Sequence, residues 1–178
     1  MRRLIAIAFA GLLLLTPAMT GCKKKRKTPA ELAKEVPSEP ATMLGTADPR
    51  AALQLTKGFY EVENGGWRWS SKDFSAALRP PANAPRKGAT LVLKFTIVDS
   101  SIAKLGPMTL TAKAGDTQCP AQKYDRAGQY EYHCDVPPAS LQGALVNVDF
   151  SLDKVLPATE SDQRTLGLVV AMVGFEAK

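Results

Sequence analysis

Apolar and polar residues alternate with period two along most of the second half of the chain. Leu91, Leu93, Phe95 and Ile97 fall on one side of a predicted strand, with Lys94 and Thr96 on the other. Met108, Leu110, Ala112 and Ala114 alternate with Thr109, Thr111 and Lys113, and Tyr130, Tyr132, Cys134 and Val136 alternate with Gln129, Glu131, His133 and Asp135. Val146, Val148, Phe150 and Leu152 repeat the pattern. Successive side chains of a strand point to opposite faces, so such runs predict strands with one face buried and one wet. Leu166 to Val173 is apolar on both sides and predicts a central strand covered on both faces. Shorter strands are predicted at Phe59 to Val62, Trp67 to Trp69 and Phe74 to Leu78. Turn residues separate them at Asn64-Gly65-Gly66, Pro80-Pro81, Gly106-Pro107, Gly115-Asp116 and Pro137-Pro138. No long helical period interrupts this region. The expected fold is all-β: an antiparallel, jelly-roll-like β-sandwich of eight or nine strands over residues 53–178.

The start of the chain reads differently. Arg2 and Arg3 precede an unbroken run of apolar and small residues from Leu4 to Leu15, the proportions of a signal peptide and too short for a comfortable spanning helix. Met19-Thr20-Gly21-Cys22 follows and resembles the lipobox of bacterial lipoproteins. The resemblance implies cleavage after residue 21, acylation of Cys22, and export to the cell envelope. Lys23 in place of an aspartate after the cysteine is similar to the pattern that sends lipoproteins to the outer membrane. Residues 1–21 are thus expected to be a signal peptide. Residues 22–52, with four prolines and no aromatic residue, are expected to be a disordered tether carrying at most a short helix from Pro29.

Charge follows the same division. The formal net charge is +6, from 23 basic and 17 acidic residues. Arg2, Arg3 and the run Lys23, Lys24, Lys25, Arg26 and Lys27 supply seven of those cations, which leaves the rest of the chain one charge short of neutral. A basic face for nucleic acid is therefore not expected on the body. The five-residue run is either a solvated stretch of tether or a contact to anionic headgroups beside the lipid anchor.

Cys119 and Cys134 remain once Cys22 is acylated. If Asp125-Arg126-Ala127-Gly128 closes a hairpin, pairing Tyr124 with Gln129 carries the register back to Cys119 opposite Cys134. Opposed residues in an antiparallel pair lie within disulfide reach, and export favours the oxidised form.

Catalytic chemistry is sparse. His133 is the one histidine and alternates outward as a surface residue. No G-x-S-x-G elbow, P-loop, H-E-x-x-H or G-x-G-x-x-G occurs, and no metal-ligand spacing or cofactor motif is present. Glu61 and Glu63 share one side of a predicted strand, the spacing of a wet face or, less ordinarily, of a glycosidase pair. Trp67 and Trp69 also share a face, either sealing the core or presenting an aromatic platform to sugar rings. Tyr60 carries the same two readings.

Three segments, Gly58-Phe59-Tyr60-Glu61-Val62-Glu63, Trp67-Arg68-Trp69-Ser70 and Asp162-Gln163-Arg164-Thr165-Leu166-Gly167, resemble the landmarks of β-sandwich modules that accompany some bacterial glycosyltransferases and envelope proteins. That resemblance implies a carbohydrate-associated accessory module over about residues 57 to 176, without an established active site. Asp162 and Arg164 then either pin the loop before the last strand or touch a ligand. The expected function is a membrane-anchored envelope lipoprotein with a non-enzymatic β-sandwich accessory or binding module, for envelope glycan or for a protein partner. The alternatives are a structural subunit of an envelope protein complex and an unrecognised glycan hydrolase.

Overall fold

The computed structural model describes residues 39–178. The predicted signal peptide, the lipobox with Cys22, the run Lys23 to Lys27 and the short helix from Pro29 lie outside the described residues.

Ten strands, antiparallel at every pairing, form the body. They are β1 (Met43–Gly45), β2 (Leu55–Glu63), β3 (Trp67–Leu78), β4 (Ala89–Ile97), β5 (Met108–Ala114), β6 (Thr117–Gln118), β7 (Gln122–Tyr124), β8 (Gly128–Val136), β9 (Val146–Leu152) and β10 (Val169–Ala177). The hydrogen-bonded path runs β6-β5-β9-β3-β10-β4-β8, with β1 added to β10, β2 to β3 and β7 to β5. Strand β3 holds the two layers together. Its first residues, Arg68 and Trp69, pair with β10, while Asp73 to Leu78 pair with β9. The path folds over on itself at β3, so that β10-β4-β8 faces β9-β5 across the core.

The four alternating runs are buried as their period requires. Leu91, Leu93, Phe95 and Ile97 of β4, Met108, Leu110, Ala112 and Ala114 of β5, Tyr132, Cys134 and Val136 of β8, and Val146, Val148, Phe150 and Leu152 of β9 all belong to one core. Phe74 stacks on Phe150 at 4.9 Å and meets Phe59 edge-on at 5.3 Å. Across the layers, Phe95 of β4 meets Tyr124 of β7 at 5.3 Å.

Several sequence expectations need correction. The described residues form ten strands, because the two- and three-residue β1, β6 and β7 are too short to show a period. Trp67 to Trp69 and Phe74 to Leu78 are one strand, the twelve-residue β3. The last strand is central, between β3 and β4, but begins at Val169. Leu166 instead bridges Leu156, and Ala171 is exposed, so the cover on the second face is incomplete. A helix of seven residues, α3 (Asp99–Leu105), joins β4 to β5 after the short helices α1 (Ala51–Gln54) and α2 (Ala84–Lys87). Asp99 in its first turn and Lys104 in its last complement the helix dipole, but two turns leave too little periodicity to read.

A further correction is the domain boundary at residue 53. Ala41, Leu44 and Ala51 are buried in the core, and β1 pairs with β10. The buried Gln54 stitches this segment down. Its amide accepts from Ala41 N at 2.7 Å and donates to Ala41 O and Ala77 O at 3.0 and 2.9 Å. The body thus begins by Ala41. Of the prolines that suggested a tether, Pro40 directly precedes the buried Ala41, and Pro49 stands two residues before the buried Ala51.

Cys119 and Cys134 form a disulfide with Cα atoms 5.8 Å apart. The hairpin expected to align them does not exist. Tyr124 faces Met108 of β5, and Gln129 faces Thr96 of β4, so Asp125 to Gly128 crosses between layers. The disulfide therefore joins the two ends of the strand path. Tyr132 Oη donates to Pro120 O at 2.8 Å on the same seam, and Tyr124 meets Tyr130 at 4.7 Å.

Candidate functional site

The three landmark segments meet at one corner of the sandwich. Strand β2 ends at Glu63, turns through Asn64 and Gly65, both at positive φ, and returns as β3 with Glu63 opposite Trp67. The segment before β10 folds across this hairpin. Gly167 N donates to Ser70 O at 2.8 Å, and Leu168 N donates to Ser70 Oγ at 2.9 Å. A Cβ at residue 167 would lie 2.7 Å from Ser70 Oγ and 2.8 Å from Ser71 O, so the close approach requires glycine.

Arg164 is the hub. Its guanidinium reaches Glu63 Oε1 at 2.7 Å and both oxygens of Asp162, through NH2 at 2.8 Å and Nε at 2.9 Å. It lies 5.4 Å from the Tyr60 ring centroid, in cation–π range. Asp162 Oδ1 also accepts from Arg164 N at 3.0 Å, so the pair closes its own loop. These bonds favour the ionised carboxyl and hold Asp162 at about 2, below its usual 3.8. Tyr60 Oη donates to Thr165 O at 3.0 Å and accepts from Thr165 N at 3.2 Å.

Trp67 and Trp69 are half-buried and belong to no part of the buried core. Their rings meet edge to face, 6.2 Å apart and at 86°. Directly opposed residues share a face of a sheet, so Trp67 stands with Glu63 and Trp69 with Val169. Arg68 points the other way and donates to Thr46 O and Tyr60 O, each at 2.8 Å.

The structure thus brings Tyr60, Asp162 and Arg164 together, with the two tryptophans on the face that carries Glu63. Sequence reading missed Glu63 and Thr165 as members of the cluster, although Glu63 ends one of the landmark segments. The expected side-sharing of Glu61 and Glu63 is not seen. A register irregularity between Phe59 and Val62 intervenes, Glu61 lies 3.9 Å from Arg68, and Glu63 binds Arg164. His133 is exposed on β8, 3.4 Å from Glu131. Among the described residues no group of three or more His, Cys, Asp or Glu side chains is placed to hold a metal ion.

No protein-family model matches the chain, and no curated protein matches it. Among solved structures the chain is similar to the CBM36-1 domain of a multidomain xylanase from the hindgut metagenome of Trinervitermes trinervoides, at 10% identity over 70% of this chain and 90% of that one, with a TM-score of 0.37. It is also similar to a CBM4 structure, at 11% identity over 75% of this chain and 81% of that one, with a TM-score of 0.29.

Proposed function

We propose that the protein is a membrane-anchored envelope lipoprotein whose β-sandwich is a non-catalytic carbohydrate-binding module. The observation that carries the binding role is the indole pair at the landmark corner. Two large apolar rings, half-open to solvent at right angles, offer an inside corner against which the C–H face of a sugar ring packs. Glu63 stands opposite Trp67 and is bonded to Arg164, which holds Asp162 in turn, and a sugar hydroxyl can both donate to such carboxylates and accept from such a guanidinium. An interaction through an apolar patch has less to use. The exposed large apolar side chains among the described residues are Leu53 and Leu145.

Anchoring rests on Met19-Thr20-Gly21-Cys22 and the cations after it. Several acyl chains, each buried CH2 worth about 0.8 kcal/mol, hold a protein to a bilayer with no spanning helix. Cys22→Ser is expected to move the protein from the membrane pellet to the soluble fraction. Sedimentation at the wild-type level would remove the anchor.

The binding role is tested by titrating a panel of soluble glycans into wild type and Trp67→Ala. Truncating one half-exposed indole is expected to weaken binding about tenfold or more while the far-ultraviolet spectrum and the melting midpoint stay near wild type. Unchanged affinity, or collapse of the fold, would make Trp67 a packing residue and end this reading of the corner.

A further inference from the structure

Away from the corner, the register of five strands aligns polar side chains that are far apart in the sequence. Lys57 of β2 faces Ser75 of β3, Ser75 faces Asp149 of β9, Asp149 faces Lys113 of β5, and Lys113 faces Gln118 of β6. A second row, Asp73, Ser151 and Thr111, runs beside the first. With strands about 4.8 Å apart, the longer row extends about 19 Å straight across the sheet. Opposed residues share a face, and these side chains line one hollow of about 290 Å³.

Both carboxylates are fixed in place. Ser75 Oγ donates to Asp149 Oδ1 and Ser151 Oγ to Asp73 Oδ1, each at 2.6 Å, and the second oxygen of each accepts no hydrogen bond from a described residue. The opposite layer shows what facing charges ordinarily do. There Lys94 faces Glu131 and closes onto it at 2.7 Å. In the hollow, Lys113 faces Asp149 in the same register, yet neither they, nor Lys57, nor Asp73 form an ion pair with another described residue. Two fixed carboxylates therefore stand among two lysines on one face, with hydrogen-bonding capacity unused.

We infer that this hollow is a second glycan-binding surface, which takes a neutral, polyhydroxylated chain lying across the strands. Its charges balance, so it offers no net attraction to a polyanion or a polycation. It sets the donors Lys57 and Lys113 on either side of the acceptor Asp149, at strand spacings comparable to one sugar ring, and a hydroxyl group serves both. No aromatic side chain stands on either row, so recognition here is by hydrogen bonds, unlike the stacking proposed for the indole corner. The inference rests on the carbohydrate reading of the protein and extends it to a separate surface.

The test is affinity electrophoresis of the full chain in mild detergent, through native gels containing hydroxyethyl cellulose, galactomannan or dextran, with polygalacturonate as the anionic comparison. Wild type is expected to be retarded by at least one neutral polymer and less by polygalacturonate. Asp149→Ala and Lys113→Ala are each expected to weaken that retardation about five- to tenfold with the melting midpoint kept. Retardation equal to wild type in both variants, no retardation of wild type by any neutral polymer, or stronger retardation by polygalacturonate would each overturn the inference. Trp67→Ala separates the two surfaces. If it alone abolishes retardation, the hollow is excluded and the corner stands. If only the Asp149 and Lys113 variants weaken it, the hollow stands and the corner does not.

Discussion

Replacing Gly58 by alanine is expected to destabilise the body by about 2 to 5 kcal/mol in a urea titration. Gly58 has φ +72°, and a Cβ there would lie 2.1 Å from Asp73 O and 2.8 Å from Phe74 Cα. The left-handed conformation costs a non-glycine residue about 1 to 2 kcal/mol, and forcing atoms into a packed site typically costs about 1 to 3 more. The obstacle is backbone on the neighbouring strand, which cannot swing aside as a side chain would. Gly65→Ala is the control. It has φ +67° with nothing within 4 Å of the added methyl group, so it should lose only the conformational part, about 1 to 2 kcal/mol. Equal losses at the two sites would show that the approach of β2 to β3 is not what requires glycine.

The second large effect is expected from Cys119→Ser combined with Cys134→Ser. The bond closes a loop with a sequence separation of 15. In the chain-entropy account, restoring that freedom to the unfolded chain lowers stability by about 3 kcal/mol. Both sulfur positions are almost fully buried, so two serine hydroxyls also enter an apolar seam. Denaturant midpoints for wild type, with and without reductant, and for the double variant should fall in two groups, the oxidised protein alone in the more stable one. Coincident midpoints would show that the strand path holds its ends together without the covalent link.

The cysteines show how far the sequence could be read. Their partnership was legible, because only two cysteines remain once Cys22 is assigned to the proposed lipobox. The route was not. Local turn chemistry at Asp125 to Gly128 is compatible with a hairpin inside one sheet or a crossing between two, and what decides is the pairing of Tyr124 with Met108 and of Gln129 with Thr96. Those partners are distant in sequence.

The same limit explains the rest. Period two gave the buried faces of β4, β5, β8 and β9, because burial of one face is all that alternation records. It could place Trp67 and Trp69 on a common face without saying whether that face was inside. The landmark segments gave Tyr60, Asp162 and Arg164, but Thr165 contributes through its backbone as well as its hydroxyl and leaves no side-chain signature. Leu166 was read as strand from its apolar neighbours, whereas the tight passage of Gly167 over Ser70 ends the approach to β10. The row from Lys57 to Gln118 was invisible, since it exists only once five strands are in register.

The joined ends of the strand path also change what a protease can do to this molecule. A cut at Pro120, Lys123 or Arg126 falls between the two half-cystines, so both pieces stay covalently attached. A singly nicked molecule would run as one species until thiols are added, and in an oxidising compartment one cut in that segment would release no fragment.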